Sequence, residues 1–184
     1  MIRLPDTRYE EIKQCVAYTI IDANITKYPF NVFDIAKSLE IEIISYQSQS
    51  LEKCKECFKH SDDGFSILVE FSSYNKWVIY YNEEMDEQRI RFTIMHEIGH
   101  IVLDHIEENL VTEMEANFFA KYILVPPCIV HILKLDDYID IMENFNVSMQ
   151  VAYYTINYYN NWLKYGSSDY TEYEKMIFNQ LNIK

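Results

Sequence analysis

Two histidines and a glutamate stand where they can do chemistry together. His96-Glu97-Ile98-Gly99-His100 places two imidazoles four residues apart. On a helix turning about 100° per residue they lie about 40° apart, so both rings reach one ion. Glu97 sits about 100° round from His96, beside such an ion and not on it. A carboxylate there suits proton transfer from a water activated by zinc, the chemistry of the His-Glu-x-x-His spacing. Gly99 lies between the histidines, and the chain has only 3 glycines. A helical glycine costs about 1 kcal/mol relative to alanine. Its presence predicts that another backbone passes close by.

Hydrolytic zinc sites keep three protein ligands and one open position. His105 falls about 180° from His96 if the helix continues, so it faces away. Asp104 lies about 80° from His96 and reads equally well as a supporting group or a solvated helix-end acid. His60 and His131 read as ordinary surface or core histidines. The next helical segment offers the third ligand. Glu113, Ala116, Asn117 and Ala120 share one stripe, and the two alanines allow close helix approach. Glu113 is the expected ligand, with Asn117 beside it to orient a ligand histidine. Glu115 points nearly opposite, among Phe118, Phe119 and Tyr122.

These groups need a frame. Asp6 or Thr7 is expected to cap a first helix to about residue 23, and Asn31 a short second helix to residue 39. Residues 41–46 alternate as a strand. Residues 47–63 are polar, contain Cys54-Lys55-Glu56-Cys57, and read as a mobile loop that gates the site. Strands follow at residues 65–71 and 77–81. Helices are expected at 86–104, 109–125, 127–133, 136–144, 148–165 and 170–181. A small antiparallel or mixed sheet packed on the motif helix, then a helical second half, makes an α+β fold. The aromatic stripe of residues 148–165 reads as core, with a docking surface as the other reading.

Composition limits the partners. The chain has 184 residues, and 29 acidic against 16 basic side chains give a net charge of −13. Nucleic-acid binding by phosphate neutralisation is disfavoured, because counterion release would oppose it. The apolar run before Leu133 is broken by Pro126 and Pro127, so no membrane span is expected. With no apolar export segment at the start, a cytoplasmic chain with reduced cysteines is expected. One domain over residues 1–184 fits the length.

Residues Arg91 to His100, followed by Glu113-x-x-Ala116-Asn117-x-Phe119-Ala120-x-x-Ile123-Leu124-Val125-Pro126, resemble the ImmA/IrrE family of zinc metallo-endopeptidases. The similarity covers about residues 28–160, leaving 165–184 as a helical extension. It implies a zincin-like fold, one zinc ion on His96, His100 and Glu113, and Glu97 as general base. It also implies cleavage of a helix-turn-helix repressor controlling a mobile element or stress response. Three features depart from the family pattern: Val125 where methionine is common, the Cys-x-x-Cys segment, and the acidic, tyrosine-rich C-terminal region. A regulatory module that sequesters a transcription factor, with a structural or sensory metal, is the rival from another class. Zinc hydrolysis of a non-peptide substrate is a third.

Overall fold

The computed structural model describes residues 3–107, 109–166 and 169–183. Helix α1 spans Asp6–Asp22 and buries Ile12, Val16 and Ile20. Neither Asp6 nor Thr7 caps it. Pro5 precedes the first turn, with no side-chain cap bond, and proline's fixed φ suits a helix entrance. Helix α2 spans Val32–Ser38, and Asn31 caps it as expected by accepting from the Phe33 amide at 3.0 Å. Strand β1 is Glu42–Ser45.

The polar stretch that follows is not simply a loop. It contains helix α3, Leu51–His60, whose Ser50 cap accepts from the Lys53 amide. Cys57 is the residue that α3 buries. Leu51, Cys54, Cys57 and Phe58 do recur at helical spacing; the polar composition around them is what makes the stretch read as a loop.

Strands β2, Gly64–Glu70, and β3, Asn75–Tyr81, complete a mixed sheet in the order β1-β3-β2. β1 runs parallel to β3 and β2 antiparallel to it, with Ser66 opposite Ile79 and Leu68 opposite Trp77. The sheet packs on helix α4, Glu87–Val102, which carries the histidine motif.

Helix α5, Leu110–Leu124, pairs closely with α4. Its start is fixed by a reciprocal cap: Asn109 Oδ1 accepts from the Thr112 amide, and Thr112 Oγ1 from the Asn109 amide. Such a cap satisfies amides that the first turn leaves unpaired, and it sets the orientation of that turn, which holds Glu113. Gly99 meets the predicted close approach. A Cβ there would lie 3.0 Å from Phe119 Cδ1 and 3.3 Å from the Ala116 Cα.

Helices α6, Pro127–Leu133, α7, Tyr138–Phe145, α8, Met149–Tyr165, and α9, Glu172–Gln180, follow. Residues Leu110–Leu133 are long and apolar enough to cross a membrane. They are two helices broken at Pro126, however, and 72% of the apolar window is buried inside the protein. In α8, Val151, Ala152 and Tyr159 are buried, which is the core reading of its stripe, while Tyr153 faces solvent.

Candidate metal centre

Helices α4 and α5 bring three donors to one point. His96 Nε2 and His100 Nε2 are 3.1 Å apart. Glu113 Oε1 lies 3.1 Å from His100 Nε2, and Glu113 Oε2 lies 3.5 Å from His96 Nε2. Tetrahedral zinc with ligands at about 2.0–2.1 Å requires neighbouring donors about 3.3 Å apart, so this spacing fits one ion. His96, His100 and Glu113 form the one such group of three found among the described residues. Cys54, Cys57 and His60 form none.

Protonation favours the same use. Burial is the main cause lowering both imidazoles to about 4; the charges of His100, His105 and Lys121 add to it at His96, and that of His105 at His100. At neutral pH both rings are uncharged and keep a lone pair for a metal. Glu97 is buried beside them, and its Oε2 accepts from Ser66 Oγ at 2.7 Å. Ser66 was not singled out from sequence; the signal was its phase on β2, shared with Gly64, which faces Thr93 of α4.

The family profile of the IrrE N-terminal-like domain, a peptidase family, matches residues 52–157. The chain belongs to this family. No curated protein matches it at significant similarity. In this IrrE-like chain the matched segment runs from α3 into α8 and contains His96, Glu97, His100 and Glu113. Helices α1 and α2 and strand β1 lie outside it.

Outside the motif, His105 departs most from expectation. The helix ends at Val102, and Asp104 adopts a left-handed backbone with φ of 54°. His105 therefore turns back, with Nδ1 3.0 Å from His100 Nδ1 and Nε2 2.9 Å from Glu115 Oε2. Glu115 is also gripped by Arg8 of α1, at 2.8 and 2.6 Å. Arg8 and, secondarily, His105 hold its carboxyl below the usual range. Asp104 itself is exposed.

Asn117 lines the same cavity, but its amide does not orient a histidine. Its Nδ2 donates to the Glu113 carbonyl at 2.7 Å, because an asparagine four residues on reaches its own helix more readily than the next. His96 Nδ1 is buried without a hydrogen-bond partner among the described residues. His131 is not part of the donor group and bonds Tyr159 at 2.9 Å. His60 lies against Phe65 with its ring tilted 36° and borders the same cavity.

That cavity holds about 390 Å³. A second, of about 470 Å³, shares Asp63, Phe92, Thr93 and Asn117 with it and reaches Lys121 and the start of α8. A third, of about 560 Å³, shares His100 and is bordered by Leu68, Trp77 and Ile106. The site thus lies along a cleft with space on two sides of the donor group.

Proposed function

We propose that this protein is a cytoplasmic zinc endopeptidase that cleaves one specific protein, a helix-turn-helix repressor of a mobile element or stress response. The observation carrying this reading is the convergence of His96, His100 and Glu113 beside the buried carboxylate of Glu97. Held there, zinc would supply Lewis acidity, acidifying water and polarising a peptide carbonyl. Glu97 takes the proton from the attacking water and returns it to the departing nitrogen. Ser66 keeps the carboxylate oriented for that exchange. Space on both sides of the donors suits a chain cut internally rather than at its end. The net charge of −13 suits a basic substrate, as DNA-binding proteins are; cleavage should therefore slow at high salt.

The test uses the purified chain and the repressor encoded beside it. Glu97→Gln should keep zinc and produce no fragments, while the unaltered chain cuts at one site and stops with chelator. Normal cleavage by Glu97→Gln overturns the mechanism. A stable, chelator-insensitive complex without fragments would instead identify a sequestering module.

A further inference from the structure

We infer that Arg8, Glu115 and His105 form a positioning relay that holds His100 in its metal-binding orientation, making helix α1 a working part of the site. The inference rests on the reading of His96, His100 and Glu113 as metal ligands.

The relay follows from proton accounting along four side chains. When His100 presents the Nε2 lone pair to a metal, its proton resides on Nδ1. The group facing that proton is His105 Nδ1, 3.0 Å away, which must then be the acceptor. The His105 proton is consequently on Nε2, 2.9 Å from Glu115 Oε2. Glu115 accepts it as a carboxylate and is fixed by two parallel bonds from Arg8, Nε to Oε1 and Nη2 to Oε2. With the His100 Nε2 lone pair given to a metal, this one assignment of protons satisfies each contact from His100 to Arg8. The alternative, with the His100 proton on Nε2, would aim that hydrogen at His96 and Glu113 and leave no lone pair for a metal.

Burial gives the arrangement its strength. The side chains of His105 and Glu115 are 6% and 8% exposed, so their bonds are little weakened by competing water. The fork of Arg8 also fixes the carboxylate plane, which a lysine could not do. Metal-bound histidines commonly donate their second nitrogen to a carboxylate, and loss of that partner weakens metal binding about 10–100-fold. Here a second imidazole spans the gap between histidine and carboxylate. Arg8 lies outside the family-matched segment, so the final member is supplied by a helix that the family profile does not cover.

Zinc affinity of the full chain, measured by competition with a chromophoric chelator, tests the relay without reference to activity. Glu115→Gln and His105→Ala should each weaken zinc about 10–100-fold. Arg8→Gln should act in the same direction by less than about tenfold, and Arg8→Lys should fall between it and the unaltered chain. On the His105→Ala background, Arg8→Gln should change zinc affinity no further, since the connection is already cut. Imidazole nitrogen NMR of the zinc-loaded chain should place protons on His100 Nδ1 and His105 Nε2. If Arg8→Gln unfolds the chain, Arg8→Lys carries the comparison. Should the unaltered chain bind zinc and the Arg8, His105 and Glu115 variants bind it equally, the relay is only a structural tie and this inference fails alone. Absence of zinc binding by the unaltered chain overturns both this inference and the proposed function.

Discussion

Ser66 Oγ donates a 2.7 Å hydrogen bond to Glu97 Oε2, joining the edge strand to the motif helix. The contact follows from matched repeats. Gly64 and Ser66, two strand positions apart, are separated by about 6.6 Å, and Thr93 and Glu97, four helix positions apart, by about 6 Å. Gly64 meets Thr93 and Ser66 meets Glu97 in step. Ser66→Ala should therefore leave fold and zinc content intact but lower kcat/KM about tenfold, the loss of one charged hydrogen bond of about 1.5 kcal/mol. A rate equal to that of the unaltered chain would show that Glu97 needs no such support.

The two glutamates of α5 face different partners, and metal analysis distinguishes them. Glu113 faces His96 and His100, whereas Glu115 faces Arg8 and His105. Glu113→Ala should leave less than one zinc per chain at equimolar metal. Glu115→Ala should still reach one zinc at saturation, with weaker affinity. The opposite pattern would make Glu115 the ligand.

How much of this was legible in the sequence depends on the range of each signal. The pairing of His96 with His100, and the face shared by Glu113 and Asn117, are properties of a single helix and follow from its periodicity. Gly99 foretold a close neighbour without naming it. His105 was misdirected by extending α4 two residues too far: the left-handed turn at Asp104 reverses the side chain, and aspartate is among the few residues that adopt it readily. Glu115 was pointed correctly away from Glu113, but its partner Arg8 is 107 residues distant, beyond anything spacing conveys. Helix α3 was legible in the helical spacing of Leu51, Cys54, Cys57 and Phe58, but that short stripe lies in a stretch whose overall polarity reads as loop.

Acid should destabilise the metal-free chain over a defined window. Burial holds His96 and His100 at about 4 in the folded chain, against about 6.5 when unfolded. Between those values the unfolded chain binds more protons, so stability falls with pH. Their contribution is intact above about pH 6.5, declines toward pH 4, and levels off below. Thermal unfolding followed from pH 7.5 to 4 in chelator should show this decline. It should shrink when both histidines are replaced by glutamine, which has no charge to gain. An equal decline in that double variant would assign the acid sensitivity to other groups.

Gly99→Ala sets two effects of opposite sign against each other. Alanine favours a helix interior by about 1 kcal/mol. The added methyl, however, would sit 3.0 Å from Phe119 Cδ1 and 3.3 Å from the Ala116 Cα. Overpacking of this kind costs about 1–3 kcal/mol, and one of the opposing atoms is backbone, which yields less easily than a side-chain end. The net expectation is destabilisation by about 1 kcal/mol, a fall in Tm of about 2–4 °C. Because α4 carries His96 and His100 while α5 carries Glu113, relief of the clash pushes the ligand set apart, so zinc affinity should fall as well. Differential scanning calorimetry and zinc titration measure the two effects on one sample. A variant with higher Tm and unchanged zinc affinity would mean that helix propensity wins and that the α4–α5 contact at Gly99 does not set the metal geometry.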